Sequence, residues 1–232
     1  SGVLLKDILN TFIPKGWFPP VTPGTKYVTL GGMVAADIHG KNHYKFGTFR
    51  KYVEWLEIID YKGRIIKCSR EENKELFFWT IGGMGLTGII LNVAFFLKPI
   101  KTAWINQRKL VAKNIIQTFD LFESNIKSTY SVAWIDCYSK GPSLGRSVLM
   151  LGEHTKIEEL RDSNKSYPFK IQKKKKFSIP FFFPPFFLSN LSVKIFNSLY
   201  FLISKISTRK KIVDWETYFY PLDKILNWNK IY

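Results

Sequence analysis

The chain has 232 residues, with 35 Lys or Arg against 18 Asp or Glu, for a formal net charge of +17. With 46% hydrophobic and 23% charged residues it has the composition of a folded chain, which excludes a disordered one. The positive excess favours an anionic partner (a phosphorylated substrate, a membrane surface or nucleic acid) unless it is only a solvated surface.

In chain order, residues 2–13 carry apolar side chains at helical spacing, closed by Pro14, Lys15 and Gly16. A turn-rich stretch follows, and residues 27–30 form a short β-like run before Gly31 and Gly32. Residues 53–68 read as a hairpin about the turn Asp60, Tyr61, Lys62 and Gly63. Residues 71–81 read as a short helix stopped by Gly82 and Gly83, and residues 87–97 as a buried strand. A boundary is expected at 99–103. Beyond it, residues 114–126 predict an amphipathic helix with Ile115, Phe119, Phe122 and Ile126 on one face. Residues 130–137 and 147–151 read as strands, so the pattern is α+β. Cys68 and Cys137 offer neither metal-ligand spacing nor a disulfide framework, and both read as core or strand residues.

Two glycine-rich constellations carry possible chemistry. The first comprises Pro23-Gly24-Thr25, Thr29-Leu30-Gly31-Gly32 and Ala36-Asp37-Ile38-His39-Gly40-Lys41-Asn42. Glycine lets backbone approach a flat ring or a pyrophosphate, and its N–H can then bind phosphate oxygens. A series of turns needing positive φ explains the same composition. The second runs from Gly82 to Ile90, and by itself it reads as a connection entering a strand. Neither is a P-loop or a dinucleotide fingerprint.

The order and spacing of these strings resemble the decaprenylphosphoryl-ribose oxidase family, vanillyl-alcohol-oxidase-like flavoproteins with a PCMH-type FAD-binding domain. The strings are P-G-T at 23–25, T-L-G-G at 29–32, A-D-I-H-G-K-N-H at 36–43, E-L-F-F-W-T-I-G-G at 75–83 and G-L-T-G-I-I at 85–90. Weaker likeness continues through 130–136, 144–146 and 220–229. The resemblance implies that residues 1–100 are the rear part of the FAD-binding domain. Residues 101–232 would then be an antiparallel-sheet substrate domain with helices. It implies FAD held non-covalently by Gly24, Thr29, Leu30, Gly31, Gly32, Ala36, Asp37, Ile38, His39 and Ile90, with His39 beside the ring system. Lys41 would face the substrate, with Ser131, Trp134 and Asp223 on the sugar side. A structural histidine at 39, a surface lysine at 41, and ordinary packing or an N-cap or turn role at Trp134 and Asp223 remain open alternatives.

The implied reaction is oxidation of a sugar secondary hydroxyl to a ketone, on a polyprenyl-phosphate-linked ribose in cell-envelope arabinose precursor synthesis. A short-chain reductase epimerase would be the partner, and the setting bacterial. Ser1 is not an initiator Met, and the chain is expected to begin inside a domain. The family's phosphate loop would precede Ser1, and its active-site cysteine and lysine would follow Tyr232, so that the chain alone would be inactive. Rival readings are an aldonolactone or alditol oxidase of the same superfamily, a basic nucleic-acid-binding protein, and an inactive fragment.

Residues 173–206 join four lysines, an aromatic run and an apolar stretch at helical spacing. Pro180, Pro184, Pro185, Lys194 and Lys205 interrupt it too often for a span of ~20 apolar residues. The segment is expected to dock on an anionic membrane surface, with packing as a core helix the alternative.

Overall fold

The computed structural model describes residues 1–172, 174–207 and 210–231. The chain folds into two compact units, one of Ser1–Ala103 with Lys156–Ile171 and one of Trp104–Thr155 with Gln172–Tyr232. Both mix helices with antiparallel sheet, an α+β protein.

The first unit opens with the helix Leu5–Phe12, whose Leu5, Ile8 and Leu9 enter the core at i, i+3 and i+4. Pro14 tightens its exit, and Gly16 takes φ +80° there. Residues 27–30 do not form a strand. Thr29 makes one isolated bridge to Leu4, and its side chain caps the helix Leu30–Ala35 by accepting from the Gly32 N–H at 3.1 Å. Capping the donors of the next turn outweighs the β propensity of this stretch.

The hairpin forms in the expected place. Val53–Ile59 pairs with Ile65–Ser69 in the register Trp55↔Ser69 to Ile59↔Ile65. The Asp60 carboxylate accepts from the Lys62 and Arg64 backbone N–H groups, each at 2.9 Å, and Gly63 supplies φ +76°. Ile89–Phe95 adds antiparallel to the other side of Val53–Ile59. It is not a buried strand: as an edge of this sheet it buries Ile90 and leaves Ile89 exposed. The expected helix at 71–81 is present as Lys74–Thr80. Around these elements Leu9, Ile13, Phe18, Met33, Phe49, Leu56 and Phe77 form the core.

The second unit is built on a four-stranded antiparallel sheet, ordered Lys211–Asp214, Trp104–Ala112, Ser147–His154, Tyr130–Ile135. Side chains alternate across it. On one face lies the helix Ile115–Ser124, whose Thr118 hydroxyl meets Ser147 Oγ at 2.7 Å. On the other, Tyr218 of the helix Trp215–Phe219 lies against Gly152, where any added Cβ would run into its ring. The apolar face expected for 114–126 is corrected here. Thr118 is the buried residue, while Phe119 and Ile126 are exposed, because the hydroxyl pairs with Ser147 and the Gly145 carbonyl. Cys68 is buried in its strand, where burial, with Glu72 adding to it, pushes the thiol up to about 11. Cys137 lies just past a strand end and is exposed.

Candidate functional site

The two glycine-rich constellations, which end at Asn42 and begin at Gly82, meet in the first unit. The Gly82 N–H donates to the Val34 carbonyl at 3.0 Å and the Met84 N–H to the Ala35 carbonyl at 2.9 Å. The second constellation is therefore bonded to the end of the helix that the first begins. Asp37 follows with φ +41°, a conformation rare for a residue with a Cβ. Its carboxylate accepts from the Arg50 backbone N–H at 2.9 Å and from Arg50 Nε at 3.1 Å. The same guanidinium reaches the Ile81 carbonyl at 2.6 Å. One side chain thus ties the turn after the helix to the entry of the second glycine loop.

Backbone closeness is built in beneath this surface. A Cβ at Gly40 would strike the Thr22 carbonyl, one at Gly83 the Trp79 carbonyl and one at Gly88 the Ile59 carbonyl. At Gly31 it would lie 2.9 Å from the Ser1 Cβ. Asn42 is buried and donates to the Pro20 carbonyl at 2.8 Å, holding the segment after Gly40 against the turn before Gly24. Gly24, Thr29, Gly32, Ala36 and His39 are exposed, as are Met84 and Leu86 on the second loop. Gly31, Asp37 and Ile38 are half-buried, and Leu30 and Ile90 are buried. Exposed backbone and small side chains at these positions allow a ligand to approach closely.

His39 stands edge-on to His43, with ring centroids 5.3 Å apart. Lys41 is half-buried in the same segment, and burial pulls its ammonium down to about 8.

A family model described as an FAD binding domain matches residues 1–69. The chain is similar to several larger proteins. It is 32% identical, over 235 positions, to decaprenylphosphoryl-beta-D-ribose oxidase of Mycolicibacterium smegmatis, covering 100% of this chain and 51% of that protein. An uncharacterized protein in the mprA 5' region of Streptomyces coelicolor is 31% identical across 68% of this chain and 43% of its own length. Cytokinin dehydrogenase 8 of Oryza sativa subsp. indica is 32% identical across 45% of this chain and 20% of its own. The chain thus spans about half the length of the first of these relatives and less of the others.

Arg50, which links the glycine-rich segments, is not singled out by the sequence. It stands thirteen residues from Asp37 and thirty-one from Ile81, and no spacing rule connects them. Asp37, read from the sequence as a cofactor contact, has its carboxylate engaged by Arg50.

The residues assigned to the sugar side fall in the second unit, and the sheet separates two of them. Ser131 and Trp134 are three apart on the strand Tyr130–Ile135, so they project from opposite faces. Trp134 packs edge-on to Tyr200, at 4.7 Å between ring centroids. Asp223 is buried in the turn Leu222–Lys224, its N–H donating to the Tyr220 carbonyl at 3.2 Å.

Proposed function

We propose that the protein binds FAD non-covalently through its first unit and uses it to oxidise a secondary hydroxyl of a sugar to a ketone. The observation that carries this reading is the bonding of the Gly82–Met84 loop to the Val34 and Ala35 carbonyls. It joins the two glycine-rich segments by main-chain hydrogen bonds, which supports reading them as parts of one site. On this reading Gly24, Thr29, Leu30, Gly31, Gly32, Ala36, Asp37, Ile38, His39 and Ile90 line the cofactor. Asp37 would act through its backbone and through its hold on Arg50, and His39 would present a polar edge beside the ring system.

FAD would supply a hydride acceptor for the carbinol carbon, with a base taking the hydroxyl proton. What these residues supply is orientation and charge. Lys41 would offer its ammonium to an anionic group of the substrate. The substrate class we favour is a polyprenyl-phosphate-linked ribose, oxidised at its 2′-hydroxyl, because the similarity that runs through the whole of this chain is to part of a decaprenylphosphoryl-ribose oxidase. A short-chain reductase would then reduce the keto product, completing an epimerisation toward an arabinose-configured lipid. Trp134 and Asp223 would serve the sugar side. Ser131, on the opposite face from Trp134, would require a different role. Similarity to a mycobacterial protein supports a bacterial setting.

The alternative within the superfamily is an oxidase of small polar sugars. It is disfavoured by the exposed apolar segment of residues 177–206, which such a substrate does not need.

The test is flavin uptake by the purified protein. A yellow protein, or one that quenches added FAD fluorescence stoichiometrically, is expected. Gly40→Val, which collides with the Thr22 carbonyl, should lose that uptake. A colourless protein that takes up no FAD refutes the reading. If flavin binds, anaerobic bleaching by a polyprenyl-phosphoribose but not by an alditol separates the two substrate classes.

A further inference from the structure

The helix Asn190–Ile206 of the second unit is turned inside out relative to a helix of a soluble core. Its buried residues are Asn197 and Ser204. Asn197 Nδ2 donates to Asp136 Oδ1 at 2.7 Å. Arg146 pairs with Asp136 at 2.7 Å, donates to Ser198 Oγ at 3.0 Å and lies over the Phe201 ring at 4.9 Å. Tyr138 Oη donates to the Asn190 side chain at 3.1 Å, and Tyr200 packs on Trp134. These polar and aromatic anchors fix which way the helix faces.

The outward face is apolar. Leu191, Ile195, Leu199, Leu202 and Ile206 follow one another at i, i+4, i+8, i+11 and i+15, between 52% and 84% exposed. Lys194 and Lys205 are exposed along one flank of this stripe. The preceding segment adds exposed Phe181, Phe182 and Phe186, and is tied down by the Phe183 N–H donating to the Lys230 carbonyl at 2.7 Å. Such a contiguous apolar patch marks an interaction surface.

We propose that this face docks on the surface of an anionic lipid bilayer, with the helix lying in the plane of the interface. Charge selects the occupant. Between Asp162 and Asp214 the sequence has eleven Lys or Arg and no Asp or Glu. A second copy of the chain would bring the same positive flank against it, whereas an anionic leaflet neutralises it. Dimension selects the mode. Among the described residues no helix is long and apolar enough to cross a membrane, and seventeen residues reach about 25 Å, short of a span. An exposed apolar stripe flanked by lysines is the pattern of an interfacial helix.

The lysine run does not act as four equivalent charges. Lys174 is paired with Asp214 and Thr217, Lys175 and Lys176 are exposed, and Lys173 lies outside the described residues.

Co-sedimentation with vesicles tests the proposal without reference to catalysis. The protein should bind phosphatidylcholine vesicles containing phosphatidylglycerol, bind pure phosphatidylcholine more weakly, and release as salt rises. Ile195→Ser with Leu199→Ser, at exposed positions, should weaken binding about tenfold while leaving the circular dichroism spectrum unchanged. Replacing Lys175, Lys176, Lys194 and Lys205 by Gln should abolish the preference for phosphatidylglycerol. The proposal is overturned by equal binding to both vesicles, by no binding, or by a serine variant that binds like wild type. It is also overturned by a protein dimer that the serine variant dissociates, which would make a second copy the occupant.

Discussion

At the scale of single residues, burial gives Lys41 its chemical character. Desolvation disfavours the ammonium and brings its titration to about 8, within reach of ordinary assay conditions. The group is charged below that value and neutral above it. If Lys41 holds an anionic group of the substrate, affinity should fall by about tenfold as pH rises through this value, the worth of one charge-assisted hydrogen bond. Lys41→Gln should be weak at every pH and lose the transition, whereas Lys41→Arg should stay charged and move it upward. The dissociation constant of a phosphorylated sugar, measured across pH, checks this. A pH-independent affinity for wild type would remove Lys41 from the anion site.

At the scale of elements, the clasp at Asp136 orients the helix Asn190–Ile206. Burial by itself raises the Asp136 carboxyl. Donors from Ser139, the Tyr138 backbone, Arg146 and Asn197 outweigh burial and hold it below the usual carboxylate range. A depressed carboxylate stabilises the fold above its unfolded value, and that contribution disappears as pH falls through the folded one. Asp136→Ala leaves Arg146 and Asn197 without their acceptor and should cost about 3 kcal/mol at neutral pH. In urea denaturation the gap between wild type and variant should narrow on acidification. A constant gap from neutral to acid would mean that the carboxylate charge is not what holds the helix.

At the scale of the whole molecule, the two units have separate cores, and the glycine-rich surface belongs to the first alone. A ligand bound to a native unit stabilises that unit by mass action, by about 2.7 kcal/mol at a hundredfold excess over its dissociation constant. Saturating FAD should therefore slow amide exchange within 1–103, above all near Gly32–Ala36 and Gly82–Met84. Equal protection throughout the sheet of the second unit would contradict a cofactor site built from the first.

Local signals make much of this protein legible in its sequence. The helix Leu5–Phe12, the hairpin about Asp60–Gly63 and the strand Ser147–His154 follow from apolar period and turn chemistry, which act between near neighbours. The glycine-rich strings at 23–42 and 82–90 resemble those of flavoproteins in their order, and the proposed cofactor contacts rest on that resemblance. Sequence does not show that Gly82 and Met84 bond to Val34 and Ala35, or that Arg50 ties Asp37 to Ile81. Those contacts join segments whose separation obeys no period. The same holds for direction. Helical spacing marks an apolar stripe from Leu191 to Ile206, but spacing is silent on which side meets the sheet. Only the tertiary structure decides that. The acceptors at Asp136 and Ser198 satisfy Arg146 and Asn197 inside, so the polar side turns inward and the apolar side faces out.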